Sequence, residues 1–240
     1  MENISYIGLS QQMALHQQMD VIANNIANMN TPGFKSQNIL FREYVNKTQD
    51  SGEKISQVQD FGTYRDLVQG TLTQTSNKLD LAIQGDGFFG VQTANGTRYT
   101  RDGSFSLNNK SQIVTKSGYL VLDDNNNPIT VQPGVTQISI TAKGEISSEK
   151  GAIGKLKLAM FNNPQMLIPI GDDLFDAQNA QENPVDKPHI EQGMLENSNV
   201  QPVLEMNKMI EIQRMYQAAQ NMLMNDHDRV RTMIQKLTQA

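Results

Sequence analysis

The stretch Val203–Leu237, VLEMNKMIEIQRMYQAAQNMLMNDHDRVRTMIQKL, carries the spacing of apolar residues that decides the fold class. Nine positions in it are separated alternately by three and four residues, and eight of the nine are apolar. This repeat places one stripe on one helical face and is typical of a coiled-coil seam. The stretch therefore predicts a single helix, roughly 50 Å long. The nine positions are Met209, Ile212, Tyr216, Ala219, Leu223, Asp226, Val230, Met233 and Leu237.

The N-terminal residues, from 1 to about 30, show the same helical periodicity. Leu15, Met19, Ile22, Ile26 and Met29 follow one another at separations of four, three, four and three residues. The run Thr31-Pro32-Gly33 then ends the helix, because proline cannot continue it and glycine tolerates the left-handed turn. We therefore expect helices at both ends of the chain.

The middle of the chain favours β structure. Between residues 71 and 190, short alternating apolar runs are separated by turn signals such as Asn95-Gly96 and Asp102-Gly103. Many short strands without an intervening helical pattern indicate an antiparallel fold. Residues 35–70 are polar and weakly patterned, and they predict an extended arm or loop.

These patterns together predict an α+β protein in which long N- and C-terminal helices form a coiled-coil layer and a central all-β antiparallel domain decorates it. The predicted divisions are an N-terminal helix at 1–34, the arm at 35–70, the β domain at 71–190, and a C-terminal connector and helix at 191–240.

Composition excludes several classes of site. The chain has no cysteine and three histidines, His16, His189 and His227, which lie too far apart in sequence for a local metal motif. Its net charge of −5 does not favour a nucleic-acid partner. It has no apolar run of a length that spans a membrane, and no basic region followed by an apolar stretch at its N-terminus. We expect no cofactor, no metal, no membrane insertion and no cleaved signal peptide.

Two short motifs resemble ligand-binding loops but lack essential residues. Gly85-Asp86-Gly87 is not followed by the Lys-Ser/Thr of a phosphate loop, so a hairpin turn is the better interpretation. Asp123, Asn125 and Asn127 resemble the start of a calcium loop. Pro128 and Gly134, however, occupy the positions where that loop needs glycine and glutamate.

Three groups of residues resemble the flagellar basal-body rod and hook protein family. The N-terminal group is Asp20 to Asn28, DVIANNIAN, followed by NTPGFK from Asn30 to Lys35. The second comprises Leu81 to Phe89, LAIQGDGFF, and Tyr99 to Phe105, YTRDGSF. The third is Gln192 to Val200, QGMLENSNV, with Glu205-Met206, Met209-Ile210 and Gln213 to Tyr216 in the helix. The opening ENISYIGLS and the length of 240 residues are most similar to the proximal rod member.

The resemblance implies a non-enzymatic structural subunit that polymerises helically into the periplasm-spanning drive shaft. Its implied partners are copies of itself and the inner proximal and distal rod subunits, bound by helical packing, and the flagellar type III export apparatus. Its implied location is the basal-body rod. The residues that the resemblance marks for assembly are Asp20, Asn24, Asn25, Asn28, Asn30, Thr31, Gly33, Phe34, Gly85, Asp86, Gly87, Phe88, Phe89, Ser198, Asn199, Val200, Met209, Ile212, Arg214, Tyr216, Leu223, Val230 and Leu237.

Three alternatives stay open at this point. The first is a distal rod subunit of the same family, which is usually somewhat longer. The second is a cell-wall glycan hydrolase, which would need two poised carboxylates in a cleft, and no such pair stands out in the sequence. The third is a coiled-coil adaptor or export chaperone, which a long central β domain disfavours.

Overall fold

The computed structural model describes residues 2–47, 54–135, 137–178, 180–185 and 188–238, and they divide into two compact units. The helical unit comprises the described residues of 1–27, 37–66 and 200–240. The β unit comprises those of 28–36 and 67–199.

The helical unit contains two helices and a hairpin. Helix α1 is Glu2–Ala27, helix α2 is Pro202–Thr238, and strands β1 and β2 are Gln37–Lys47 and Lys54–Arg65. Pro202 opens α2 at the position where its fixed backbone angle and missing N–H fit best. Glu205 follows in the first turn, where a negative charge complements the helix dipole.

The two helices pack against each other in opposite directions. Leu15 and Ile22 of α1 and Ile212 of α2 form a buried apolar cluster. Near the other end of this contact, a Cβ placed on Gly8 would lie 2.7 Å from the Leu223 side chain, so the helices approach closely there. Leu9 and Met13, on another face of α1, are exposed.

The predicted coiled-coil layer is wrong. The part of the chain that the structure describes has two α-helices, and α1, at 26 residues, is much shorter than the 37-residue α2. Ile212 and Ala219 of the predicted seam are buried, whereas Met233 and Leu237 near its end are exposed. Heptad spacing records which residues share a face of a helix, and it does not determine how many helices cover that face.

The stretch interpreted as an extended arm is a β-hairpin. β1 and β2 pair antiparallel from Gln37 opposite Arg65 to Lys47 opposite Lys54, with a register shift after Leu40. Gly62, with φ of +140°, lies at this irregularity. Apolar and polar residues alternate only weakly in this stretch, so the sequence did not predict the pairing. Register and partner are properties of the folded hairpin.

The β unit is built from short antiparallel strands. The strands are β3 Leu72–Gln74, β4 Leu81–Ile83, β5 Phe88–Thr93, β6 Gly96–Thr100, β7 Phe105–Leu107, β8 Ile113–Thr115, β9 Leu120–Val121, β10 Ile138–Ile140, β11 Glu145–Ser148, β12 Gly151–Lys155, β13 Leu158–Phe161, β14 Ile168–Gly171, β15 Leu174–Asp176, β16 Glu182–Pro184, β17 Ile190–Gln192 and β18 Met194–Glu196. Among the described residues, the main sheet has nine strands, in the order β14-β15-β6-β5-β9-β8-β7, with β13 pairing to β5 and β16. A three-stranded sheet has the order β10-β11-β12, and two further pairs join β4 to β17 and β3 to β18.

The apolar residues of these strands fill one large cluster and one smaller cluster. Phe89 and Phe105 meet edge to face at 5.2 Å in the large cluster. Tyr99 and Phe161 do the same at 4.9 Å in the smaller one. Edge-to-face contacts stabilise aromatic pairs beyond the area that they bury.

The segment Gly85-Asp86-Gly87 differs from its predicted role. It connects β4 to β5, but β4 pairs with β17 while β5 pairs with β6, β9 and β13. The segment is therefore a connection between strands with different partners and not a hairpin turn. The predicted limits of the β domain, 71–190, stay a prediction.

Candidate functional site

A buried ion-pair cluster lies in the β unit, formed by Lys35, Arg101 and Glu196 and called here the Glu196 cluster. Lys35 Nζ donates to Glu196 Oε1 over 2.5 Å, and Arg101 Nε donates to Glu196 Oε2 over 2.7 Å. The three side chains are 8%, 5% and 2% exposed. Two cations thus share one carboxylate away from water, a geometry in which each charge depends on its partners.

Arg101 also fixes the connection between β4 and β5. Its guanidinium donates to the carbonyl oxygens of Ile83, Gly85 and Gly87 over 2.9, 2.6 and 2.5 Å. The carbonyls of Gly85 and Gly87 lie outside the strands, so the guanidinium supplies these two oxygens with a hydrogen-bond donor. The planar fork of arginine suits this role, because it presents several donors in fixed directions.

The Glu196 cluster joins segments that lie far apart in sequence. The Glu196 carbonyl accepts a hydrogen bond from Gly33 N over 2.8 Å, and its carboxylate accepts one from Gly70 N over 3.1 Å. Lys35 Nζ donates to the carbonyl of Val68 over 2.9 Å. The connector that follows α1, the residues before β3 and the last strand of the unit therefore meet at one carboxylate.

Glycines allow this close approach. Gly33 has φ of +74°, and a Cβ on it would lie 2.6 Å from the backbone of Arg101. A Cβ on Gly70 would lie 2.0 Å from the Asn197 carbonyl oxygen, and one on Gly103 would lie 1.7 Å from that of Leu81. Real Cβ atoms do not approach backbone so closely, so these positions require glycine.

Sequence reasoning did not select the three charged residues of this cluster. Lys35, Arg101 and Glu196 each lie inside one of the family motifs, but none of them is among the residues predicted for assembly. No local signal identified them, because a charged side chain inside a motif can equally well be solvated. Their pairing was not predictable, because 161 residues separate Lys35 from Glu196.

A second buried polar group, called here the Asn25 cluster, lies in the helical unit and consists of Asn25, Gln37 and Glu205. Asn25 Nδ2 donates to the Gln37 carbonyl over 2.9 Å and to Glu205 Oε2 over 3.1 Å, and Gln37 N donates back to Asn25 Oδ1 over 2.9 Å. Asn25 is 1% exposed. One amide thereby joins α1, the start of β1 and the first turn of α2.

The other predicted residues of the N-terminal motif occupy varied positions. Asp20 is exposed beside His16, and Asn24 and Asn30 are exposed as well. Thr31 Oγ1 donates to Asn28 Oδ1 over 3.2 Å, which stabilises the turn after α1. Phe34 is half-buried, and its carbonyl accepts from Asn199 N.

The remaining predicted residues divide between buried and exposed positions, and their role in assembly stays a prediction. The buried ones are Gly33, Gly87, Phe89, Val200 and Ile212. The half-buried ones are Phe88, Ser198, Asn199, Met209, Tyr216, Leu223 and Val230. The exposed ones are Gly85, Asp86, Arg214 and Leu237.

Asp102, Asp172 and Asp173 line a cavity of about 300 Å³ in the β unit. Asn30, Thr31 and Pro32 line the same cavity. Burial, together with the nearby charges of Asp102 and Asp172, raises the pKa of Asp173 to about 6. Tyr119 donates to Asp172 Oδ2 over 3.0 Å, and this bond raises the pKa of the tyrosine.

Within the described ranges, no group of three or more histidine, cysteine or acidic side chains has a geometry that could hold a metal ion. Neither described helix carries the long apolar run that a membrane crossing requires. The buried carboxylates Glu196 and Glu205 are both engaged in hydrogen bonds or ion pairs within their own unit.

Three family models match separate parts of the chain. Residues 6–35 match the flagella basal body rod protein model, and residues 82–148 match the flagellar hook protein FlgE/F/G D1 domain. Residues 191–237 match the flagellar basal body rod FlgEFG protein C-terminal model. The three models thereby cover the three groups of motifs in the order in which the sequence carries them.

Curated relatives align with nearly the whole chain. The flagellar basal-body rod protein FlgF of Caulobacter vibrioides is 40% identical over 241 residues, covering 99% of this chain and 98% of the relative. FlgF of Mesorhizobium japonicum is 35% identical, with 90% of each chain covered. The flagellar basal-body rod protein FlgG of Bacillus subtilis is 33% identical, with 89% of this chain and 90% of the relative covered.

Proposed function

The chain belongs to the flagellar basal-body rod protein family, and from that premise we propose that it forms the proximal segment of the rod. It is a structural subunit of the rod. The proposed finer role is helical polymerisation into a shaft that crosses the periplasm and transmits torque, without a catalytic activity of its own.

The observation that carries this proposal is the exposed apolar surface of α2. Met222, Met233 and Leu237 are 55%, 46% and 79% exposed, and the helical repeat places them on one face of α2. Apolar patches of this kind on a soluble protein mark interaction surfaces, because burying them removes apolar area from water. A subunit of a rod has neighbours that can supply this burial.

The proposed partners are copies of this chain and the inner proximal and distal rod subunits, bound by packing of the terminal helices. A contact between two different surfaces of successive copies does not close on itself and so generates a helix of subunits. Passage through the flagellar type III export apparatus is part of the same proposal.

The segment ENISYIGLS resembles the proximal member of the family and supports the proximal position. The FlgF relative from Caulobacter vibrioides is 40% identical over almost its full length, and the FlgG relatives match at 32–35% identity. The distal position is the alternative that the experiment must distinguish.

Cryo-electron tomography of basal bodies in cells that lack this gene tests the proposal. We expect a rod that stops short, with neither a distal rod nor a hook. A proximal rod of normal length that lacks its distal segment would assign the chain to the distal position. A complete rod and hook would overturn the proposed role in rod construction.

A further inference from the structure

The β unit contains two sets of strands that differ in how far apart their partners lie along the chain. β5 and β6 form a local hairpin, in which Thr93 pairs with Gly96. β3 and β4, in contrast, pair with β18 and β17, which lie more than 100 residues later. Bringing distant segments together requires loop closure, so such pairings form later than local hairpins.

The connector formed by residues 28–36 also depends on residues 190–199, the segment that contains β17 and β18. Asn199 Oδ1 accepts from Ser36 N over 2.7 Å, and Gly33 N donates to the carbonyl of Glu196. Asn199 Nδ2 donates to the carbonyl of Val68 over 3.0 Å. Residues 190–199 thus supply hydrogen-bond partners for residues 28–36 and for the residues leading into β3.

Charge makes this dependence stronger than hydrogen bonding alone. Lys35 lies 161 residues before Glu196 and Arg101 lies 95 residues before it, and all three side chains are buried. Until Glu196 arrives, the folded position of Arg101 would place its guanidinium in a buried site without the carboxylate that it contacts. An uncompensated buried charge is strongly unfavourable.

We propose that the β unit closes in a late folding step, in which residues 190–199 dock against residues 28–36 and 67–75, and that Glu196 supplies the charge on which this step depends. A chain whose residues 190–199 are not in place cannot complete the unit. This step concerns the folding of each subunit and does not depend on its position in the rod.

Native-state hydrogen exchange on the full-length chain tests the role of Glu196. In Glu196→Gln, we expect the amides of β3, β4, β17 and β18 to exchange at least about a hundredfold faster, because one partner of a buried ion pair is lost. The amides of β5 and β6 should change much less. Glu191→Gln is the matched control, since Glu191 lies on the neighbouring strand and its carboxylate is 43% exposed.

Pulsed hydrogen exchange during refolding from denaturant tests the order of folding. In the unmodified chain, β5 and β6 should become protected before β3, β4, β17 and β18. Simultaneous protection of both sets would overturn the late step. Equal acceleration of exchange in both sets by Glu196→Gln would overturn the specific role of its charge.

A double variant covers the case in which Glu196→Gln does not fold. Lys35→Met combined with Glu196→Gln removes one of the two buried cations along with the carboxylate. We expect this double variant to fold and to recover protection in β3, β4, β17 and β18 relative to Glu196→Gln. If the two substitutions are instead additive or worse, Glu196 acts only by packing and the proposed role of its charge is wrong.

Discussion

Asn25 on α1 donates a hydrogen bond of 3.1 Å from its Nδ2 to Oε2 of Glu205 on α2, 180 residues later in the chain. Because Asn25 also exchanges two hydrogen bonds with the backbone of Gln37, a single buried amide holds three elements of the helical unit. An amide suits this position, since it both donates and accepts without adding a second buried charge.

Asn25→Ala should destabilise the helical unit by about 2–3 kcal/mol, because the backbone N–H and C=O of Gln37 lose their bonds to the amide and the buried Glu205 carboxylate loses one donor. Chemical denaturation followed by circular dichroism at 222 nm would measure the change. Gln17→Ala, at an exposed position of the same helix, is the control and should change stability by less than about 0.5 kcal/mol. Equal effects of the two substitutions would contradict the structural role of Asn25.

Gly103→Ala should prevent the native β unit from forming. The added Cβ would lie 1.7 Å from the Leu81 carbonyl oxygen, and the hydrogen bond from Leu81 N to the Gly103 carbonyl would have to break. Gly154→Ala is the control, because a Cβ there meets no atom within 4 Å. Soluble yield and thermal melting of the two variants would compare them, and a folded Gly103→Ala with an unchanged melting temperature would refute the predicted clash.

Asp173→Asn should stabilise the β unit at neutral pH. The pKa of Asp173 is raised from 3.8 to about 6 in the folded protein, so the folded state binds this proton more tightly than the unfolded state. In the unmodified chain, the stability that protonation of Asp173 contributes is therefore present below about pH 4 and is lost as the pH rises through 6. Asparagine removes the charge and also tolerates the left-handed backbone at this position, where φ is +56°.

The stability difference between Asp173→Asn and the unmodified chain should be about 1 kcal/mol or less at pH 7, because solvent screens a half-buried carboxyl, and should shrink towards pH 4. Melting temperatures measured from pH 4 to 7 would show this trend. Asp86→Asn removes an exposed carboxylate from the same unit and is the control. A difference that grows towards acid pH would have the wrong sign.

Met222→Gln combined with Met233→Gln should leave the isolated subunit as stable as the unmodified chain and reduce its incorporation into rods. Both methionines are exposed, and glutamine preserves helix propensity while removing apolar area. Asn221→Gln with Asn225→Gln is the matched control on the same stretch of α2. Swimming in soft agar and the count of complete basal bodies would report the effect, and normal motility of the methionine variant would argue against this surface as an interface.

The sequence predicted the elements better than their partners. The α+β class, the terminal helices and most of the antiparallel strands from Leu72 to Phe161 were predictable, because each leaves a local periodicity or a turn signal. The strands Glu145–Ser148 and Gly151–Lys155 were not predicted. The strands between Ile168 and Pro184 were not predicted, since their runs are short and interrupted by proline and glycine. The coiled-coil layer was predicted wrongly, because an apolar repeat does not reveal what covers it.

The candidate sites show the same division. Asn25 was selected from its motif, and the structure places its amide in the interior of the helical unit. Lys35, Arg101 and Glu196 were present in the motifs but not selected, and the cluster that they form was not predicted. No local pattern distinguishes a charged side chain that is solvated from one that is buried in an ion pair.

The sequence by itself determined which residues share a helix face, where strands alternate and where glycine or proline ends an element, because these properties depend on neighbours a few residues apart. Only the tertiary structure decided that Glu196 joins Lys35 to Arg101, that Asn25 holds α2, and that β3 and β4 pair with the last strands of the β unit. Those contacts join residues about 95 to 180 positions apart or close the β unit over more than 100 residues. Their formation depends on the balance between loop-closure entropy and burial over the whole chain, which no local pattern records.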